Sequence, residues 1–272
     1  MRSISLSKGI VILVLVLFLF LTMVPLLLMF FHSFKDHLDI ILHFWAIPEQ
    51  PKWENYTTAW RSVGSSIGNS IYVCVFTIVG AVLISSLSGF AFARQKFPGK
   101  SLFFYMLIGV LMIPSVLTLV PLYAVITNFG LTYSFWGLIL PYISGTQLLG
   151  VLLFRTFFSS LPEELFEAAR IDGAGEYLIY ARIAIPLSYP ILATVAIVTF
   201  IAVYSDFLWP MIVLDSSQRT FTLAAVNLTS NGRTDLGLSF AAYVIGSVPM
   251  ALVIILGMKY YVQGMVSGAV KS

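Results

Sequence analysis

Apolar residues fall into six long blocks, at about 9–31, 66–92, 101–125, 134–158, 190–214 and 239–262, with short polar intervals between them. A helix needs about 20 predominantly apolar residues to cross a bilayer, and each block is long enough. In lipid only a helix or a closed barrel satisfies its own backbone hydrogen bonds. The pattern therefore predicts an all-α integral membrane protein with six transmembrane helices, a single transmembrane domain over 1–272. Pro25 interrupts the first span, and Pro114 and Pro121 the third. Such prolines kink helices that neighbours support, or they mark a broken helix that lines a passage.

Composition strengthens this reading. Of 272 residues 59% are hydrophobic and only 10% charged, whereas soluble domains carry about a quarter charged residues. The net charge of +3 and the lack of a basic arm give no footing for nucleic acid. Cys74 is the sole cysteine, so neither an intrachain disulfide nor a zinc set is expected. Arg2 and Lys8 precede the first block much as in a signal peptide, but the block is too long and no small-residue cleavage site follows. A retained anchor is expected.

Charge also orients the spans. One side of the membrane receives Arg2, Lys8, Arg94, Lys96, Lys100, Arg155, Arg170, Arg182, Lys259 and Lys271; the other receives Lys35, Lys52, Arg61, Arg219 and Arg233. Ten basic residues against five put the first side in the cytoplasm. Both termini and the loop 159–189 are then cytoplasmic.

That loop breaks the apolar pattern. Glu163, Glu164, Glu167, Asp172 and Glu176 are five of the chain's twelve acids within fourteen positions. Ser160 and Glu163 have capping-box spacing, and Gly173 suits a left-handed helix stop. A second short helix is expected to place Tyr177, Tyr180, Ile183 and Ala184 on one side, to end at Pro186, and to hand over to the fifth span at Pro190. Helices that lie on membranes favour Lys and Arg, so an acidic helix–turn–helix fits a basic protein partner better than lipid.

These residues carry a resemblance. Glu167-Ala168-Ala169, then Gly173, Ile183 and Ile185-Pro186 follow the EAA-loop pattern of bacterial ATP-binding-cassette (ABC) importer permeases, with Ile185 where that pattern has Leu. Nearly the whole chain is similar to the carbohydrate-importer branch typified by the smaller permease of the maltose transporter. The likeness includes Ser33–Ile41, Glu54–Trp60, Phe90–Ser101, Ile113–Tyr123 and Tyr261–Ser272. It implies a type I importer permease whose cytoplasmic coupling helices dock in a cleft of an ATPase subunit. The implied coupling set is Glu167, Ala168, Ala169, Asp172, Gly173, Ile183 and Pro186, with an ATPase-contacting tail at Gly264, Gly268 and Lys271. Implied partners are an ATPase dimer holding ATP and Mg, a second permease and an extracytoplasmic solute-binding protein. The chain itself would bind no cofactor and catalyse no reaction, and would reside in a bacterial inner membrane. A sugar or oligosaccharide is the implied solute. Two departures, Tyr204-Ser205-Asp206-Phe207 in the fifth span and Gln147-Leu148 in the fourth, bear on that solute.

Other features carry less. Gly99-Lys100-Ser101 mimics a phosphate-binding loop, but the first glycine that loop requires is here Arg94. His32, His37 and His43 are spaced by five and six, which presents no single helical face for a metal. Asp206 is the one acid well inside a predicted span, and an intramembrane ionisable residue is a functional candidate by default. With Tyr204, Ser205 and Gln147 it either lines a translocation cavity or packs between helices. Ser85, Ser86 and Ser88 in the second span carry the same two readings, as cavity-lining hydroxyls or as the small polar residues that commonly join helices. A secondary transporter, a channel subunit and an importer of a non-carbohydrate solute are the competing readings; the first two need charged ion-coupling groups near the bilayer midplane, where little beyond Asp206 is available.

Overall fold

A computed structural model describes residues 6–215, 217–230 and 235–269. Thirteen helices follow in chain order: α1 Leu6–His32, α2 His37–Leu42, α3 Glu54–Arg94, α4 Lys100–Leu111, α5 Ser115–Asn128, α6 Trp136–Ser160, α7 Glu163–Ile171, α8 Glu176–Ile179, α9 Ile185–Leu187, α10 Tyr189–Ser205, α11 Leu208–Val213, α12 Phe221–Ser230 and α13 Leu236–Ala269. A π-helical turn, Tyr180–Ala184, joins α8 to α9. No strand occurs among the described residues. Among the described residues four helices are long and apolar enough to cross a membrane, and up to six spans result if each of two bent helix pairs counts as one.

The hydropathy blocks located the helices but not their breaks. The third block is two helices bent by 101°. Pro114 supplies no N–H to continue α4 and sits as the extended N-cap of α5, so this proline breaks the span; Pro121 stays inside α5. The fifth block ends early. Asp206 leaves the helix in an extended conformation, and α11 starts afresh at Leu208.

The chain forms two compact units. In the first, Met1–Ser65 with Ala224–Val248, a polar knot lies just past the end of α1. Asn55 is buried and donates from Nδ2 to Ser33 O (2.9 Å) and Lys35 O (3.0 Å). The buried Lys35 ammonium donates to His43 O at 2.6 Å and lies 3.8 Å from Asp39. Ser33 and Tyr56 share a hydroxyl hydrogen bond of 2.7 Å. At the start of α13, Asp235 accepts from Gly237 N and Leu238 N, the acidic N-cap a helix start favours. The three histidines take separate partners: His32 packs on Phe44 and Phe240, His37 accepts from Leu236 N, and His43 pairs with Asp39.

The second unit, Ser66–Leu223 with Pro249–Ser272, is built around α6. A Cβ on Gly150 would lie 2.7 Å from Ser85, and one on Gly89 2.5 Å from Phe154 Cβ. Close approach of α3 and α6 therefore requires both glycines, the small-residue packing that lipid favours. The Arg155 guanidinium covers the Phe104 ring at 3.6 Å, joining α6 to α4, and Trp209 Nε1 donates to Gly137 O at 3.1 Å, joining α11 to α6. Below them Phe90, Phe154, Phe158, Phe166, Ile179 and Tyr180 share one buried cluster.

Candidate functional site

Two places in the second unit combine polar chemistry with defined geometry: the acidic helix–turn–helix, and a cavity beside α6.

The helix–turn–helix begins differently from the capping box its sequence suggests. Ser160 is the last residue of α6, and its hydroxyl donates to Phe157 O. Pro162 is the N-cap of α7 and makes no side-chain cap bond. The residue before a proline is pushed to an extended backbone, and Leu161 adopts one, which separates Ser160 from the new helix. Freed from a cap, Glu163 accepts from Arg94 and from Arg170.

The end of α7 follows the expected chemistry. Gly173 has φ +82°, a conformation costly for residues with a Cβ. Its N–H donates to Arg170 O (3.1 Å) and that of Ala174 to Ala169 O (2.9 Å). These are the two bonds of a Schellman stop, which satisfy otherwise orphaned carbonyls. Arg170 Nε donates to Glu176 at 3.0 Å, bracing α7 against α8. The hydrogen bonds to Glu176 and then Glu163 hold the Arg170 guanidinium above its ordinary pKa.

Two-sidedness defines this bracket. Its inner side is buried through Phe166, Ile179, Tyr180 and Ala184. Tyr180 OH shares a buried 2.8 Å hydrogen bond with Ser86 Oγ of α3. Arg94, at the end of α3, donates to Phe158 O and to Leu161 O (2.6 Å) and lies over the Phe166 ring. A single side chain, only 7% exposed, thus ties α3, the last turn of α6 and α7 together. The outer side presents Glu164, Glu167, Ala168 and Asp172 beside Leu165, Ile171 (86% exposed) and Tyr177 (78% exposed). Tyr177 therefore parts from Tyr180 and Ala184, with which its spacing groups it. The π turn widens the helix after Ile179, so Ile179 rather than Tyr177 joins the buried side. Ala169 and Ile183 are half-buried, and Pro186 is exposed.

The cavity has a volume of about 430 Å³ and is lined by α5, α6, α10 and α11. Its polar groups are Ser115, Thr118, Tyr142, Thr146, Thr199 and Asp206, set among aliphatic side chains and Trp209. Tyr142 OH donates to Asp206 Oδ2 (2.8 Å) and Leu208 N to Asp206 Oδ1 (2.9 Å). The break between α10 and α11 thereby aims a carboxylate into the cavity. Of the four candidates in spans four and five, Asp206 alone lines it. Tyr204 is buried and stacked on Phe200 and Phe221, Ser205 is exposed elsewhere, and Gln147 buries its Oε1 away from the cavity. Tyr142 and Thr146 escape sequence reasoning because a hydroxyl in an apolar run gives no signal of its direction. Arg94 reads in sequence only as one of the cytoplasmic positive charges. Gly264 and Gly268 fall in the last turns of α13, and Lys271 lies outside the described residues.

A family model described as "Binding-protein-dependent transport system inner membrane component" matches residues 81–267. The "Probable ABC transporter permease protein YurM" of Bacillus subtilis is 35% identical over 249 residues, 91% of this chain and 83% of that protein. The diacetylchitobiose uptake system permease protein NgcG of Streptomyces coelicolor is 33% identical, over 85% of this chain and 78% of its own. The sn-glycerol-3-phosphate transport system permease protein UgpE of Yersinia pestis is 32% identical, over 81% and 82%. Among solved structures, a bacterial ABC transporter involved in importing the acidic polysaccharide alginate superposes with a TM-score of 0.80 at 19% identity. That match covers 96% of this chain and 98% of the other and is a likeness of fold.

Proposed function

The chain belongs to the family of binding-protein-dependent transport system inner membrane components, and from that premise we propose that it is a sugar-carrying ABC-importer permease driven through the 163–187 bracket. Membership sets aside the secondary-transporter and channel readings. The observation that carries the coupling role is the two-sidedness of the bracket. Its inner side is tied to α3 and α6 by Arg94, Phe166 and the Tyr180–Ser86 bond, while its outer side leaves acids and large apolar groups uncovered.

Such a bracket transmits force. An ATPase subunit with a basic, partly apolar cleft would grip Glu164, Glu167, Ala168 and Asp172, and closure of that subunit on ATP would move the bracket as one piece. The Schellman stop at Gly173 and the Arg170–Glu176 brace keep it from flexing. Arg94 passes the motion to α3 and α6. ATP and Mg would stay on the ATPase dimer, and the tail around Gly264, Gly268 and Lys271 would reach the same subunits. Both termini and the bracket would be cytoplasmic, as the excess of basic residues on that side supports. A second permease would complete the pore, and a solute-binding protein would load it from outside.

Solute would cross beside α5, α6 and α10, where hydroxyls, a carboxylate and an indole ring line the cavity. That mixture suits a polyol, and the diacetylchitobiose relative supports a sugar. The test is site-specific crosslinking from Ala168→Cys in an assembly proven active by solute uptake. Capture of the ATPase subunit is the expected result, whereas capture of lipid alone would refute the docking. Glu167→Lys should abolish uptake while leaving the chain inserted.

A further inference from the structure

We infer that Asp206, held toward the cavity by Tyr142 and Leu208 N, is a charge selector that admits neutral or amino-bearing sugars and rejects acidic sugars and sugar phosphates. The inference rests on the reading of this cavity as the solute route.

Charge inventory is the first argument. Among the described residues lining the cavity there is one carboxylate and no Lys, Arg or His. An anionic solute would therefore meet a like charge with no compensating cation from this chain. Such an encounter is costly where water is scarce, because the Coulomb energy between unit charges grows as the dielectric falls. An opposing feature is the first turn of α5, which carries Ser115 at the cavity wall and has no side-chain cap. A helix N-terminus is worth about half an elementary charge, less than the full charge on Asp206.

Acceptor capacity is the second argument. A carboxylate has about four lone-pair sites, and two are filled by Tyr142 OH and Leu208 N. The remaining sites accept from a hydroxyl or an ammonium and have nothing to offer a phosphate or a second carboxylate. The two filled sites fix the group in place. Leu208 N belongs to the helix restart itself, so the carboxylate is positioned by the backbone break and not by a mobile side chain alone.

Thiol chemistry tests this whichever solute the importer carries. Cys74 is the sole cysteine and is fully buried, so Cys74→Ala gives a thiol-free chain. Thr146→Cys then places one thiol in the cavity. The assembled importer, in phosphatidylcholine nanodiscs, is treated with trimethylammonium-ethyl or sulfonato-ethyl methanethiosulfonate. Modification is followed by the intact mass of this subunit, with rates normalised to a free thiol. The cationic reagent should react at least about tenfold faster than the anionic one, with Asp206→Glu preserving that preference and Asp206→Asn erasing it. In the Asp206 chain the preference should also shrink with added salt, as expected of a charge open to solvent; this holds as a test even if Asp206→Asn does not assemble. Equal rates with Asp206 present, or a preference that survives Asp206→Asn, would overturn the selector while leaving the route intact. Failure of both reagents to reach Thr146→Cys, with and without ATP, would overturn the route itself and the selector with it.

Discussion

The Arg94 guanidinium lies 4.2 Å from the centroid of the Phe166 ring, and the same side chain donates to Phe158 O and Leu161 O. Removing it leaves Leu161 O without its donor and Phe158 O with only the longer 3.4 Å bond from Leu161 N, and an orphaned buried acceptor costs about 1–3 kcal/mol. The cation–π contact adds about 0.5–2 kcal/mol. Arg94→Ala should therefore lower the unfolding temperature of the purified chain and reduce uptake by more than the loss of protein explains. Arg94→Lys should restore little, because an ammonium is a point charge and cannot fork between carbonyls. Wild-type uptake in Arg94→Ala would show that the clamp is dispensable.

Gly173 is the next position where a small change reads clearly. A residue with a Cβ in the left-handed region costs about 1–2 kcal/mol, so Gly173→Val should loosen the Schellman stop and let α7 fray. Co-purification of the ATPase subunit should fall while membrane insertion is unchanged. Gly173→Asn, which tolerates that conformation better, should retain more of the partner. Equal retention by both variants would mean that the stop does not set the bracket's shape.

Crowding at the α3–α6 contact gives a third prediction. Gly150→Leu would drive a large side chain into Ser85 and Val195, and overpacking of this kind costs about 1–3 kcal/mol. Thermal unfolding in detergent should show the loss, and Ser85→Ala in the same chain should recover part of it.

In the first unit, Asn55→Leu removes the donor shared by Ser33 O and Lys35 O. The expected destabilisation is about 1–3 kcal/mol from unpaired buried carbonyls, read as faster proteolysis of the segment 33–52. Full resistance would show that the Lys35 and Ser33 contacts hold the segment without it.

Hydropathy made α1, α3, α6 and α13 legible, because a long apolar run in lipid has few alternatives to a helix. The stop at Gly173 was legible for a similar reason: the chemistry is local, and glycine is the residue that adopts φ +82° without strain. What stayed hidden depends on contacts distant in sequence. Ser160 and Glu163 have the spacing of a capping box, yet Pro162 turns the chain between them and Arg94, far back in the sequence, captures the glutamate. Pro114 and Pro121 look alike in the sequence; one breaks the span and the other rides inside α5. Asp206 announced itself as a charge in an apolar block, whereas Tyr142 became visible only once α6 and α10 were side by side.

Leverage follows from the placement of two contacts on α6. Tyr142 and Phe158 are sixteen residues apart, about 24 Å at 1.5 Å per residue. Pivoting α6 about its Arg94-held end by about five degrees relative to Asp206 would displace Tyr142 by about 2 Å over that arm. A 2.8 Å hydrogen bond does not survive such a displacement, since bonds weaken beyond about 3.2 Å. The Tyr142–Asp206 bond would therefore be lost on a swing of only a few degrees, leaving the carboxylate held by Leu208 N alone.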